Sequence, residues 1–381
     1  MAGIYVHIPY CKQACSYCNF YFSTQLQNTN DLVDALVKEI DLQANFFEPN
    51  TQISSIYFGG GTPSILDTAD IIKVLNKIYN TFNVDDFPEI TLEANPDDLN
   101  SQYLKDLKAY TPINRLSIGI QSFFEDDLKY MNRAHTTQQA YDSITLAQQQ
   151  QFDNITCDLI YGTPTLSDKN WEKNLLTLIE FGIKHLSCYA LTVEEKTALH
   201  YQIEHHKVAN VDEEKMATHF RILQAITKMH GYTQYEISNF CTDKNYAIHN
   251  SNYWNRKPYL GIGPSAHSYN GKSRFWNINN NIKYINSINS NNIPNEQETL
   301  TNIEQYNEFV LTGMRTKWGV QSARIEKLFG NELRRYFEFE VSPFIGNAWV
   351  NANNGTYILT DEGKLFCDFI TEQLFWVEES V

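Results

Sequence analysis

The sequence predicts an α/β fold, in which a partial (β/α)6 barrel is followed by a smaller C-terminal α+β domain. Two observations indicate this class. Six short apolar, β-branched runs recur along the first half of the chain, and amphipathic stretches with apolar residues three and four apart lie between them. Strict alternation of strand and helix implies parallel βαβ units. Six units are too few for a closed eight-stranded barrel, which leaves a partial barrel or an open doubly wound sheet.

The elements follow one another in a regular order. The predicted strands are residues 3–8, 53–58, 89–94, 115–120, 155–161 and 185–190, and the clearest helical patterns between them are residues 31–40, 68–79, 138–149 and 171–181. A barrel gathers the carboxyl ends of its strands around one cavity, so functional residues should follow strands. They do so here, since three cysteines follow the first strand and a glycine-rich turn at 59–63 follows the second.

The second half of the chain differs from the first in composition and in hydrophobic pattern. After residue 240 the sequence is rich in aromatic residues and asparagine, notably at 277–281 and 289–292, which predicts a linker or irregular loop. From residue 296 the pattern becomes helical, and it ends in a turn, a short strand and a last helix. We therefore expect a partial barrel over residues 1–240, a motif-bearing linker region over 241–295 and a winged-helix-like domain over 296–381.

Composition limits the class of partner. The chain has 381 residues and a formal net charge of −15, and residues 296–381 carry seven Lys and Arg against fourteen Asp and Glu, a net of −7. A broad nucleic-acid surface is disfavoured, because phosphate binding relies on clustered cations. No apolar run approaches the roughly 18 to 20 residues that span a bilayer, and the first residues lack the pattern of a secretory signal. We expect a soluble, cytosolic protein.

Three of the seven cysteines form a cluster, Cys11, Cys15 and Cys18, with the spacing C-x3-C-x2-C. A tetrahedral zinc site needs four ligands, and the fourth would have to be His7 or a distant residue. A 4Fe-4S cubane held by three thiolates instead leaves one iron open for a chelating substrate. The spacing therefore favours an iron–sulfur cluster over zinc. The other four cysteines are scattered singly and read as small buried apolar residues: Cys157, Cys188, Cys241 and Cys367.

The cysteine spacing, with Tyr17 before the last cysteine, resembles the radical S-adenosylmethionine (SAM) superfamily. That family places a glycine-rich SAM contact after its second strand, where glycine lets the backbone approach the ligand closely. Further motifs occur in one order along nearly the whole chain and resemble the HemN/HemW group: Gly-Ile-Tyr-Val-His-Ile-Pro-Tyr-Cys, Gly-Gly-Gly-Thr-Pro, Glu-Ala-Asn-Pro, Ile-Gly-Ile-Gln-Ser-Phe and Asp-Leu-Ile-Tyr-Gly-Thr-Pro. This group contains oxygen-independent coproporphyrinogen III oxidases and haem chaperones.

The resemblance implies a 4Fe-4S cluster and SAM as cofactors, with haem added in the chaperone branch. Carried over residue by residue, it assigns SAM contacts to Tyr5, Tyr17, Gly60, Gly61, Thr62, Glu93, Gln121, Arg133, Asp158 and Ala190. Glu93 would accept a hydrogen bond from SAM, and Tyr17 and Ala190 would pack against adenine or ribose. These residue types suit the ligand, because carboxylates bind hydroxyl and ammonium groups and Arg binds carboxylates.

Two features separate the branches of the group. The oxidase pattern continues with a fourth cysteine where this chain has Phe20, and it carries an N-terminal extension before the cluster, whereas Cys11 lies close to Met1. The segment from His249 to Trp254 matches the motif H-N-x-x-Y-W of the chaperone branch, which implies haem contact by His249, Asn250, Tyr253 and Trp254. An imidazole can ligate haem iron, and a Tyr–Trp pair offers a flat apolar surface. His267 is a second, weaker candidate.

The leading interpretation is a haem chaperone that binds haem and a SAM-associated 4Fe-4S cluster and delivers haem to respiratory haem proteins. The alternative is a coproporphyrinogen III oxidase. A tRNA-modifying radical SAM protein is disfavoured by the acidic C-terminal region. Expected partners are haem and haem-acceptor respiratory proteins, with no nucleic acid and at most peripheral membrane contact; a homodimer is left open. No catalytic residue is assigned.

Overall fold

The computed structural model describes residues 1–377. Its centre is a run of six parallel strands hydrogen-bonded in chain order, each buried along most of its length: β1 (Ala2–Ile8), β2 (Ile53–Gly60), β3 (Val84–Ala94), β4 (Arg115–Gln121), β5 (Ile155–Tyr161) and β6 (His185–Ala190). The sheet has two free ends and does not close within residues 1–377. The prediction of a partial (β/α)6 barrel is confirmed.

Helices connect these strands as the amphipathic patterns predict: α1 (Thr29–Leu42), α2 (Thr68–Thr81), α3 (Ser101–Tyr110), α4 (Glu125–Tyr130), α5 (Thr137–Gln149), α6 (Asp168–Glu180), α7 (Ala198–Glu204) and α8 (Glu213–Met229). Their starts are locally encoded, because Asp67, Asn100 and Thr136 each accept a hydrogen bond from a backbone N–H three residues further on. The apolar faces of α1, α2, α5 and α6 pack into the core formed by the strands.

Residues 241–295 are more regular than the linker predicted for them, since they form helices and strands, and their strands extend the main sheet beyond β1. β9 (Tyr259–Ile262) pairs in parallel with β1, and antiparallel strands continue outward from it. The further elements are β7 (Thr233–Gln234) and β8 (Asn239–Cys241) beside β6, and α9 (Ile248–Trp254), β10 (His267–Tyr269), β11 (Ser273–Asn277), α10 (Asn281–Asn289) and β12 (Asn295–Thr299). The asparagines that suggested a linker have structural tasks: Asn280, for example, caps α10.

A buried carboxyl group ties this extension to the barrel. Glu39 on α1 accepts hydrogen bonds from Gly263 N at 2.8 Å, Asn277 Nδ2 at 2.7 Å and Tyr284 OH at 2.5 Å. Burial raises the pKa of Glu39 to about 7, although the three donors oppose the shift. These partners lie more than 220 residues from Glu39 in sequence, so no local pattern could reveal them.

The C-terminal region combines helices with a small antiparallel sheet, in the order β13-β15-β14. Its elements are α11 (Asn302–Met314), β13 (Val320–Gln321), α12 (Ser322–Phe329), α13 (Asn331–Glu340), α14 (Ser342–Gly346), β14 (Val350–Asn353), β15 (Thr356–Leu359) and α15 (Cys367–Gln373). A separate apolar cluster that includes Tyr306, Val310 and Phe337 forms its core. The arrangement agrees with the winged-helix-like expectation, while the domain boundaries stay a prediction. Within residues 1–377, no helix combines the length and apolarity needed to cross a bilayer.

Candidate functional site

The carboxyl ends of the six strands surround a cavity of about 680 Å³. The three clustered cysteines and all but one of the predicted SAM residues line it: Cys11, Cys15, Cys18, Tyr17, Gly60, Gly61, Thr62, Glu93, Gln121, Arg133, Asp158 and Ala190. They meet because parallel strands bring their carboxyl ends to one edge. One of them, Gln121, has a φ of +61°, an uncommon conformation for a residue with a side chain.

The cysteine loop is anchored through its backbone and through Lys12. Cys11 N donates to Ser23 O at 3.0 Å, Ser16 N donates to Met131 O at 3.0 Å, and Lys12 forms ion pairs with Asp97 and Asp98. All three cysteines of this loop line the cavity. Among residues 1–377, no three His, Cys, Asp or Glu side chains converge as the ligands of a single metal ion would. The thiols of a cubane each bind a different iron and are spread around the cluster.

The glycine-rich turn is built to touch the cysteine loop. Gly61 N donates to Ile8 O at 2.8 Å, and a Cβ on Gly61 would lie 2.6 Å from Tyr10 O and 3.0 Å from Cys11 Sγ. Gly60 has a φ of +111°, which is a glycine conformation. Gly61 is therefore required by the close packing of the two loops and Gly60 by its backbone conformation, in addition to the SAM contact expected of both.

Two polar side chains donate hydrogen bonds to the cysteine thiols. Thr62 Oγ1 donates to Cys11 Sγ at 3.4 Å, and Arg133 Nη1 donates to Cys15 Sγ at 3.3 Å. Asn95 connects the two donors, because its Oδ1 accepts from Arg133 Nη2 at 2.6 Å and its Nδ2 donates to Thr62 Oγ1 at 3.0 Å. Sequence reasoning missed Asn95, although it lies in the motif Glu-Ala-Asn-Pro.

Glu93 and Asp158 are the two carboxyl groups of the cavity. Burial raises the pKa of Glu93 to about 7 and that of Asp158 to about 6, and the charge of Asp158 adds to the shift of Glu93. Glu93 Oε1 accepts a hydrogen bond from Tyr57 OH at 2.6 Å, and Ser117 Oγ donates to Asp158 Oδ2 at 3.4 Å. A cationic or hydroxyl-bearing ligand would draw Glu93 toward its ionised form. Tyr57 is a further residue that sequence reasoning missed.

Tyr5 is the one predicted SAM residue outside this cavity. It lines a smaller interior cavity of about 230 Å³, which shares Glu93 and Asp158 with the larger one. The Tyr5 hydroxyl is paired with His7 Nδ1 at 3.0 Å, and its ring is stacked on Tyr57 with centroids 6.1 Å apart. Tyr5 does not line the cavity of the cysteines, and its contact with SAM stays a prediction.

α9, which carries the predicted haem motif, closes the amino-terminal end of the barrel. Glu89, whose backbone is in register with Ser55 and Gly3, accepts hydrogen bonds from the backbone N–H groups of Ile248 and His249, each at 2.9 Å. His249 is 2% exposed, and both of its ring nitrogens are paired. Nδ1 meets Ser55 Oγ at 2.9 Å, and Nε2 meets Tyr253 OH at 3.0 Å.

The environment of His249 is that of a core residue. Its ring stacks on Tyr57 with centroids 5.1 Å apart, and burial lowers its pKa to about 3, so the imidazole is neutral. His249 and Tyr253 face the interior cavity, which Asn250 also lines while donating from Nδ2 to Tyr235 OH at 3.3 Å. The imidazole predicted to contact haem is thus engaged inside the barrel.

Trp254 and His267 lie elsewhere. Trp254 lines a separate cavity of about 300 Å³ between α9 and the C-terminal domain, and the guanidinium of Arg315 lies 5.7 Å from its ring centroid. His267 is exposed on β10, with its ring stacked on Trp276 at a centroid distance of 6.4 Å. The structure therefore brings three of the four motif residues to one cavity and the fourth to another.

A partial parallel barrel whose carboxyl edge carries three clustered cysteines and a glycine-rich turn is the fold of a radical SAM protein. The model of the Radical SAM superfamily matches residues 5–178, and that of the HemN C-terminal domain matches residues 300–366. Within this superfamily, the chain belongs to the HemW family. It is 32% identical over 370 residues to the haem chaperone HemW of Bacillus subtilis, covering 96% of this chain and 97% of that protein.

Two further comparisons extend this finding. The haem chaperone HemW of Lactococcus lactis is 30% identical over 359 residues, covering 94% of this chain and 93% of that protein. Among solved structures, the coproporphyrinogen III oxidase HemN from Escherichia coli superposes with a TM-score of 0.84 at 20% identity, covering 98% of this chain and 90% of that one. The second likeness is one of fold, including the C-terminal domain.

Proposed function

We propose that the protein is a haem chaperone, which binds haem together with a SAM-associated 4Fe-4S cluster and delivers haem to respiratory haem proteins. The observation that carries the proposal is the cavity at the carboxyl edge, where three thiols, a glycine-rich turn and two buried carboxyl groups meet in a chain of the HemW family. Free thiols of this kind need a reducing compartment, which supports a cytosolic location.

The donor set of the cavity fits both cofactors. Three Sγ atoms would hold three irons of the cluster, which when bound supplies an electron for cleavage of the SAM sulfonium bond. Arg133 Nε is a buried donor without a partner among the described residues, and it is suited to the methionyl carboxylate. Glu93 and Asp158 would accept hydrogen bonds from the ammonium or ribose groups. Tyr17 and Ala190 would exclude water from the adenosine end.

For haem, the contacts around α9 favour different roles for the four residues of the predicted haem motif. His249, Asn250 and Tyr253 would hold α9 against the barrel, while Trp254 would present a flat apolar face. The cavity beside Trp254 is also lined by aromatic and cationic side chains, namely Phe309, Phe329, Arg256 and Arg324. Aromatic rings suit the macrocycle and guanidinium groups suit its two propionates. If an imidazole ligates the iron, the exposed His267 is more accessible than His249.

The second candidate function is oxidation of coproporphyrinogen III, which the fold likeness to HemN favours. Phe20 argues against it, because this residue lines the mouth of the cavity with 70% of its surface exposed, where the oxidase pattern has a cysteine. Incubation of reconstituted protein with coproporphyrinogen III, SAM and a reductant separates the two. We expect no carbon dioxide and no protoporphyrinogen, and appreciable turnover would establish the oxidase instead.

Haem titration of purified protein, followed by its Soret band, tests the chaperone proposal directly. We expect the double variant His249→Ala with Trp254→Ala to lose at least tenfold in haem affinity, or about 1.4 kcal/mol. His206→Ala, which alters an exposed histidine far from α9 in sequence, serves as the matched control and should bind as the wild type does. Full haem affinity in the double variant would refute the assignment of α9.

A further inference from the structure

Asn95 lies at the centre of a polar network that joins two of the three cysteines. The connections run from Cys11 Sγ to Thr62 at 3.4 Å, from Thr62 to Asn95 at 3.0 Å, from Asn95 to Arg133 at 2.6 Å and from Arg133 to Cys15 Sγ at 3.3 Å. Every link is a side-chain hydrogen bond. Asn95 therefore holds both thiol donors through the two ends of one amide.

The network is fixed by the protein framework. Asn95 N donates to Ser64 Oγ at 3.2 Å, and Ser64 Oγ donates to Asp98 Oδ2 at 2.6 Å. Arg133 Nη2 also donates to Gly119 O at 3.0 Å, and a Cβ on Gly119 would lie 3.2 Å from that nitrogen. Thr62 and Ser64 are buried. The donors are thus directed at the thiols by contacts with β4, the loop after β3 and the turn after β2.

We propose that Asn95 is a positioning residue that sets the reduction potential of the cluster, by aiming Arg133 and Thr62 at the sulfurs of Cys15 and Cys11. The inference rests on the proposed function in requiring a cluster at these cysteines. Reduction adds one electron and no proton, so the reduced state carries more negative charge on the sulfur ligands. Donors to sulfur stabilise that state, and hydrogen bonds to cluster sulfurs are a known determinant of potential.

The test is a redox titration of reconstituted protein, with dithionite as the one-electron reductant and the reduced cluster followed by electron paramagnetic resonance. It is run without SAM and without haem, so that the midpoint potential reports on the protein network alone. We expect Asn95→Ala to lower the equilibrium constant for reduction about tenfold, which is a shift of about 59 mV to more negative potential. Thr62→Val should shift in the same direction by less, and Thr62→Ser should retain the wild-type potential.

A matched control is a second asparagine, Asn132, which also contacts the cysteine loop. Asn132 Nδ2 donates to Ala14 O at 2.7 Å and thus touches the cysteine loop through its backbone. Its φ of +53° suits glycine, so Asn132→Gly preserves the backbone, and it should leave the potential unchanged.

Combining substitutions tests whether Asn95 acts through Thr62. Once Asn95 is removed the Thr62 hydroxyl is no longer held, so Thr62→Val should add little in the Asn95→Ala background. Full additivity of the two shifts, or a wild-type potential in Asn95→Ala, would overturn the proposal. If Asn95→Ala does not retain a cluster, the Thr62→Val and Thr62→Ser pair decides, and equal potentials in that pair would overturn it. A wild type without iron and sulfide would refute the proposed function itself.

Discussion

The two ends of the barrel differ in how fully their polar side chains are hydrogen-bonded. At the carboxyl end, Glu93, Asp158 and the three thiols face a cavity of about 680 Å³, and Arg133 keeps a buried N–H without a partner among the described residues. At the amino end, His249 has both ring nitrogens paired and its ring stacked on Tyr57. Unsatisfied groups in a cavity indicate a ligand, whereas satisfied groups in a core indicate architecture. The sequence motifs predict ligand contacts for the residues at both ends. The hydrogen bonds in the structure distinguish the candidate ligand site at the carboxyl end from the packed side chain at the amino end.

The largest expected effect is at the carboxyl end. Replacing any one of Cys11, Cys15 and Cys18 by Ser should abolish the cluster, because a three-thiolate site has no spare ligand. The cluster content is measured as iron and acid-labile sulfide in anaerobically reconstituted protein. Cys157→Ser, at a buried cysteine on β5, should keep both. Stoichiometric zinc without sulfide in the wild type would contradict the assignment.

The next effect concerns the amino end, where His249→Ala should lower the free energy of unfolding by about 2–4 kcal/mol. The change removes a buried ring and leaves Ser55 and Tyr253 without their partner. Because the pKa of His249 is lowered to about 3, its contribution is present above pH 6.5 and is lost as the pH falls toward 3. Urea denaturation at several pH values measures both. If His249→Ala unfolds at the same urea concentration as the wild type, His249 is not a stabilising core residue, and the difference drawn between the two ends of the barrel is wrong.

A third prediction sharpens the role of the carboxyl-end acids. Glu93→Ala should weaken SAM binding by about 1.5–3 kcal/mol, the scale of a hydrogen bond to a charged group, while the cluster remains. Since Glu93 has a pKa of about 7 and must be ionised to bind a cation, SAM affinity should rise between pH 6 and pH 8, and Glu93→Gln should flatten that rise. Calorimetry provides the affinities, with Glu194→Gln at the rim of the cavity as control. Equal affinity in Glu93→Ala and the wild type would refute the contact.

The smallest expected effect is at the cavity beside Trp254. Arg324 is exposed there, so its contact with a haem propionate should be worth at most about 1 kcal/mol. Arg324→Gln should therefore weaken haem binding by less than tenfold, and haem dimethyl ester should bind the variant and the wild type equally. Arg221→Gln, which breaks an exposed ion pair with Glu362, is the matched control. A loss of affinity for the ester in Arg324→Gln would show that propionate contact is not the cause.

Sequence reasoning succeeded where the signal is local or topological. Hydrophobic periodicity predicts the six strands and the helices between them, and the rule that parallel strands share a carboxyl edge predicts that Cys11, Glu93 and Asp158 converge. It failed where contacts between residues distant in sequence determine the position of an element or the burial of a side chain. The fit of β9 beside β1 depends on Glu39 meeting Gly263 and Tyr284, and the burial of His249 depends on Ser55 and Tyr57. Asparagine-rich sequence resembles a linker until its hydrogen-bond partners are known.

The separation of the two ends is tested most directly by titrating haem into the Cys15→Ser variant. We predict that iron and sulfide are lost while the Soret titration gives the wild-type haem affinity, because the cavity beside Trp254 shares no lining residue with the cysteine cavity. Loss of haem binding together with the cluster, in a variant that unfolds at the wild-type urea concentration, would place haem at the carboxyl end and contradict the account.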